Sequence, residues 1–318
     1  MGAQACSGCE PMNAPEARTA LLAVEHVTHY RYTAPVDLAH HLAYLRPRDD
    51  ANQQVESFEL HIEPSPLHQR SEPDRLGNAR SCFTVTVPHR ELEVRASSRV
   101  RVMADDSLDS AATLPWEQVA ERLRYVAGAP YEAASEFVFG SPFVPLLPAL
   151  QALARPSFPA GRPIATAAID LMARIHAEFS YRSASTDIDT PLVDVLTSRE
   201  GVCQDFAHVM IGALRSMGLA ARYISGYLLT QPPEHGADGA PMLGADASHA
   251  WVSVWCPMAD GMASRWLKLD PTNNVLPSTG HVRLAVGRDY SDVTPLRGVI
   301  RGGGEHELEV HVRTRRVA

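Results

Sequence analysis

No stretch of this 318-residue chain stays apolar over the roughly 18–20 residues that a membrane span requires. The amino terminus lacks a basic-then-apolar leader. Cys6 stands where a myristoylation signal would carry Ser or Thr. Cysteine is scarce: there are five, an odd number without framework spacing, so a reducing, cytoplasmic setting is expected. Cys6 and Cys9 form a C-x-x-C with no second pair of zinc ligands nearby. They read as an untidy leader, or as an over-long start ahead of Met12. Positive charge does not prevail. The formal net charge of −8 argues against a broad nucleic-acid surface, and the run Arg313-Thr314-Arg315-Arg316 reads as a solvated tail. No EF-hand-like calcium loop is present. Gly302-Gly303-Gly304 precedes no Lys-Ser/Thr pair, so it reads as a turn or hinge and not as a phosphate loop. Neither a metal nor a cofactor is expected.

What is present divides the chain into an α+β arrangement. Residues 1–18 form a small, polar, Pro-containing leader, expected to be disordered. Residues 19–110 alternate like strands at Leu22–Tyr32, Val55–Ile62, Cys82–Val87 and Leu92–Val102, with a tight turn at Gly77-Asn78. An all-β, sandwich-like or barrel domain is expected there. Its histidines His26, His29, His40 and His41 suggest a metal, but His26 and His29 would face opposite sides of a strand. Residues 111–163 form a connector with an amphipathic helix from Trp116 and a helical stripe from Val144 to Ala154, interrupted at Pro148. The Pro/Gly-rich stretch Arg155–Pro163 marks a boundary. A core over 164–300 follows, then a strand and tail over 301–318 expected to pair back on a sheet. Within the core, Ala168, Leu171, Ile175 and Phe179 mark a helix face, and Thr190-Pro191 reads as an N-cap with proline at N1. Ala221–Leu229 reads as a strand. Thr230–Ala245 reads as a flap or a surface insertion.

The chemistry concentrates at Arg199-Glu200-Gly201-Val202-Cys203-Gln204-Asp205-Phe206-Ala207-His208. From Phe206 onward, Val209, Met210, Ala213, Leu214 and Met217 recur at helical steps, and Gly218 follows as a stop. Cys203 therefore falls in the first turn of a core helix, where unpaired N–H groups and the helix dipole favour a thiolate. Two strand-like stretches follow, Asp246–Trp255 with His249 at the start of its strand and Arg265–Asn273 ended by a proline, joined by a turn that contains Asp260-Gly261. Folding them back brings His249 beside Asp270. A thiol nucleophile needs an imidazole, and the imidazole needs a third group to hold its tautomer. Cys203, His249 and Asp270 offer these roles. Asp205 reads as a helix cap, His208 as a packing residue, and Cys82 and Cys256 as core residues.

These stretches resemble the bacterial transglutaminase-like family, whose core belongs to the papain-like cysteine-enzyme superfamily. The similarity rests on Gly-Val-Cys-Gln-Asp-Phe-Ala-His at 201–208, Leu-Arg-Ser-Met-Gly at 214–218 and Ala-Arg-Tyr-Ile-Ser-Gly-Tyr at 221–227. It continues in Asp-Ala-Ser-His-Ala-Trp-Val at 246–252, Asp-Pro-Thr-Asn at 270–273 and Gly-Arg-Asp-Tyr-Ser-Asp-Val at 287–293. Upstream it extends through His26–Tyr32, Leu45-Arg46-Pro47-Arg48 and Gly77-Asn78. The resemblance implies a Cys203–His249–Asp270 triad, a thioester intermediate and a peptide or protein substrate, with an amine as a second acceptor. The Cys203 N–H is a natural oxyanion donor. Transglutaminases proper add an indole upstream of the nucleophile, but here the nearest is Trp116. Tyr181 and Gln204 are the candidates in its place. Amide hydrolysis, transamidation, acyl transfer from a thioester donor and an inactive binding module all remain open, with hydrolysis slightly ahead.

Overall fold

The computed structural model describes residues 18–105, 108–128, 130–183, 190–230, 242–243 and 248–317. Cys6 and Cys9, Asp246-Ala247 and most of the expected flap lie outside these residues.

The amino-terminal strands are β1 (Thr19–Ala43), β2 (Gln53–Glu63), β3 (His68–Pro73), β4 (Ala79–Val85) and β5 (His89–Met103). They lie in the order β2-β5-β1-β4-β3 in one antiparallel sheet. β1 is longer than the expected Leu22–Tyr32 because it continues past Pro35 through a register shift near Val36. Its first half pairs with β5 and its second half with β4. The sheet curls, and Tyr32, Val36, Phe83, Val85, Leu92 and Val94 share one buried cluster between its two flanks. That enclosed face is what makes the domain sandwich-like.

The connector carries α1 (Trp116–Leu123) and α2 (Pro148–Ala154). Proline opens α2, so the expected stripe from Val144 becomes helical only at Pro148; its missing N–H costs nothing in the first turn. The core then runs through α3 (Ile164–Glu178), β6 (Ser180–Tyr181), α4 (Leu192–Ser198), β7 (Glu200–Gly201), α5 (Cys203–Ser216), β8 (Ala221–Leu228), β9 (His249–Cys256), β10 (Arg265–Leu269), β11 (His281–Gly287) and α6 (Tyr290–Val293). Pro191, not Thr190, occupies the N-cap position of α4. A four-stranded antiparallel sheet, β10-β9-β8-β11, packs against α5. Phe206, Val209, Met210, Ala213 and Leu214 of α5 are buried in the main core with Leu171 and Ile175 of α3. Gly218 ends α5 at φ +79°, a left-handed conformation suited to glycine.

The expected core, 164–300, does not run that far in space. From Leu296 the chain returns to the first domain as β12 (Leu296–Gly302) and β13 (His306–Arg316). Both pair with β1. The turn between them is Gly302–Gly304, where all three φ angles are positive. A chain that ends by completing its own first sheet ties the two domains together.

The domains also meet along β11, which has β8 on one side only. Gln53 is fully buried and acts on the free edge. Its Oε1 accepts from Arg283 N (2.8 Å) and its Nε2 donates to Arg283 O (2.8 Å) and Arg48 O (2.7 Å). Asn78 does the same three residues along: Oδ1 accepts from Val286 N (2.8 Å) and Nδ2 donates to Val286 O (2.8 Å). Two side-chain amides thus stand in for a neighbouring strand and close an edge that would otherwise be open. Arg283 forms an ion pair with Asp50 through both Nε and Nη2. The Leu45–Arg48 stretch, seen in the sequence without a role, and Gly77-Asn78, read there only as a tight turn, supply part of this joint. Among the described residues no helix is long and apolar enough to cross a membrane.

Candidate active site

Gly201 and Val202 turn the chain into α5. A Cβ on Gly201 would lie 2.7 Å from the Asp205 side chain, so only glycine lets that carboxylate fold back. Asp205 Oδ2 accepts from Val202 N at 2.8 Å, the capping role expected of it. Cys203 is then the first residue of α5 and is 8% exposed. Its Sγ lies 3.9 Å from the carbonyl oxygen of Ser248, the residue before His249. The histidine strand therefore begins at the thiol.

β9 and β10 form the expected hairpin, with Val252 opposite Leu269, and this register places His249 beside Asp270. Both are buried. His249 Nε2 lies 2.9 Å from Asp270 Oδ2. The other ring nitrogen, Nδ1, is buried with no nitrogen or oxygen partner. Burial works against a charged ring, but Asp270 and then the Cys203 thiol outweigh it and raise the His249 pKa to about 10. Burial alone would instead push the Asp270 carboxyl up. Its neighbours His249 and His281 reverse that and hold the carboxyl well below the usual carboxylate range.

The Asp-Pro-Thr-Asn turn explains how Asp270 is held. Oδ1 accepts from the backbone N–H of Thr272 (3.0 Å) and Asn273 (3.2 Å), while Oδ2 accepts from Asn273 Nδ2 (2.9 Å). The sequence reading missed a further partner: His281, the first residue of β11, whose Nε2 is 3.3 Å from Oδ2. Trp251 fills the space beside them. Its ring stacks on His249 (centroids 6.0 Å) and meets His281 edge-on at 5.4 Å and 84°. Gly226 makes room for that indole, because a Cβ there would lie 2.3 Å from it and 2.1 Å from the carbonyl oxygen of Val282. The glycine of Ala-Arg-Tyr-Ile-Ser-Gly-Tyr is a packing requirement of the site.

The other candidates fall around this centre. Tyr181 pairs in parallel register with Gly201, and Arg182 N donates to Gly201 O at 3.0 Å, so its strand runs beside the approach to Cys203. Gln204 is half-buried in the first turn of α5. His208 packs inside: it stacks on Phe143 at 5.7 Å and its Nε2 accepts from Tyr290 N at 3.2 Å. Burial lowers its pKa to about 4. Tyr223 and Tyr290 were in the quoted motifs without a role. Burial raises both hydroxyl pKa values, and Cys203 contributes to each, which places two phenols in the electrostatic reach of the thiol. Among the described residues no group of three or more His, Cys, Asp or Glu is arranged to hold a metal ion. His26, the most interior of the four amino-terminal histidines, spends its ring on Tyr227 Oη (2.9 Å) and Thr28 Oγ1 (3.0 Å).

A helix-start cysteine against a strand-borne His–Asp pair, on a four-stranded antiparallel sheet, defines a transglutaminase-like core. The chain belongs to the transglutaminase-like superfamily, which residues 151–271 match, and residues 22–101 match the bacterial transglutaminase-like N-terminal region. Among its relatives is an uncharacterized protein of Mycobacterium tuberculosis (strain ATCC 25618 / H37Rv), 41% identical over 288 residues, 90% of this chain and 89% of that protein. A protein-glutamine gamma-glutamyltransferase of Pseudomonas aeruginosa is 32% identical over 105 residues, 32% of this chain and 14% of that protein. The crystal structure of a candidate cysteine protease from Cytophaga hutchinsonii superposes with a TM-score of 0.70 over 95% of this chain and 92% of that one. At 20% identity, that likeness speaks for the fold.

Proposed function

We propose that this protein is a cysteine enzyme acting on amide bonds of a peptide or protein, with Cys203 as nucleophile, His249 as proton carrier and Asp270 as the group that orients it. The observation that carries this reading is the His249 ring itself. One nitrogen is committed to Asp270 at 2.9 Å, the other lacks a nitrogen or oxygen partner, and the Cys203 thiol acts on the ring. A base held in one tautomer beside a thiol is the arrangement that nucleophilic catalysis needs.

The Cys203 thiolate attacks the carbonyl carbon and forms a C–S bond. The C–N bond breaks, and imidazolium His249 gives its proton to the leaving amine. Water then attacks the thioester, His249 takes its proton, and the acid departs as the thiolate returns. The developing oxyanion falls to the N–H of Cys203, which has no acceptor within its own helix. Tyr181 and Gln204 are the nearby candidates for a second donor. Transamidation differs only in the last step, with an amine in place of water. The likeness over 105 residues to a protein-glutamine gamma-glutamyltransferase supports keeping that acceptor in view.

The test is alkylation of Cys203 by a small haloacetamide, followed by peptide mapping to exclude other thiols, in wild type and His249→Ala. Rapid reaction at about pH 6, slowed at least about tenfold in the variant, is the expected outcome. A rate that rises only in alkali and ignores His249 would overturn the reading and favour a binding module.

A further inference from the structure

Asp270 Oδ2 has more donors than a simple triad requires. His249 Nε2 (2.9 Å), Asn273 Nδ2 (2.9 Å) and His281 Nε2 (3.3 Å) all converge on it. One carboxylate oxygen offers two lone pairs, so the two histidines compete for the same charge. His281 is 3% exposed and is held from three directions. Trp251 lies edge-on against its ring. Its strand pairs with β8, where His281 is opposite Leu228. The free edge of that strand is gripped by Gln53 and Asn78 at Arg283 and Val286.

We propose that His281 is a positioning residue, a neutral donor that acts through Asp270. It keeps the carboxylate aligned with His249 and draws off part of its charge. The proposal rests on the triad reading above and deepens it. A carboxylate shared only with His249 would hold the imidazolium proton too firmly. The acylation step needs that proton to leave for the departing amine, and a general acid works best with a pKa near the working pH. A second donor on the same oxygen weakens the grip. The titratable groups that face His281 are Asp270, from the turn after β10, and His249, from β9; Arg283 is on its own strand. Burial lowers the His281 pKa, and Asp270 opposes that from the other side, which agrees with a ring that donates while uncharged. The clamp on β11 gives the amino-terminal domain a part in the site, because it fixes the strand that presents His281.

Histidine-labelled protein titrated by nitrogen NMR tests this directly. The full chain is used in a Cys203→Ala background, so that the thiol does not enter the titration of His249, and His249→Gln assigns its signal. His281 is expected to be the neutral Nε2–H tautomer through the neutral range. In His281→Phe the His249 pKa should rise by about half a unit or more. His281→Gln, which restores an amide donor at a similar reach, should bring it back. A charged or Nδ1–H His281, or equal His249 values in the Phe and Gln variants, would overturn the proposal. If His281→Phe does not fold, the tautomer and the Gln variant still decide it. The alkylation comparison of wild type with His249→Ala tests the triad separately, so failure of one is not mistaken for failure of the other.

Discussion

Replacing Gln53 by alanine removes half of the clamp between the two domains, and the cost follows from its hydrogen bonds. Gln53 is fully buried. Truncation leaves Arg283 N and Arg48 O without their partners. Arg283 O keeps one donor, the N–H of Arg48 at 3.1 Å. Arg283 N is left unpaired in a buried position and Arg48 O in a partly buried one, which gives about 1–4 kcal/mol of lost stability. A typical exposed substitution changes stability by no more than about 0.5 kcal/mol. Urea unfolding of wild type and Gln53→Ala, compared at matched slope, measures the difference. Gln53→Glu should not rescue, because a carboxylate would face two carbonyl oxygens. A loss below about 1 kcal/mol for Gln53→Ala would refute the reasoning and mean that the β11 edge holds without its side-chain strand.

Gly226→Ala should destabilise the protein by at least about 1–3 kcal/mol, since the new methyl meets both the Trp251 ring and the Val282 carbonyl; thermal unfolding that matches wild type would count against a close-packed site. Acid should also weaken the fold. Burial lowers the pKa values of His26, His41 and His208 to about 4. Their stabilising contribution is complete above the unfolded value near 6.5 and is lost as pH falls from there through about 4, at about 1.4 kcal/mol per unit for each ring. His41 is the cleanest to remove: neither ring nitrogen has a partner and the ring stacks on Phe83 at 5.1 Å. His41→Leu should flatten the melting temperature against pH in this range, and an unchanged slope would show that His41 is not one of the groups responsible.

The parts of the site legible in the sequence are those set by neighbours along the chain. The cap by Asp205, the apolar period from Phe206 and the stop at Gly218 all lie within one helix, so α5 and the place of Cys203 on it follow from local spacing. The β9–β10 hairpin is local as well, and a single turn is enough to bring His249 to Asp270. Other features were settled only when distant segments met. β13 pairs with β1 from the far end of the chain, and no periodicity in either strand names its partner. The same holds for Gln53 and Asn78. A buried amide satisfies whichever backbone groups the fold brings to it, here those of Arg283 and Val286 more than 200 residues away. His281 starts an ordinary apolar strand, and its meaning depends on the second lone pair of a carboxylate on another element. Sequence spacing determined where Cys203 and His249 fall; tertiary packing decided how the Asp270 carboxylate is shared between His249 and His281.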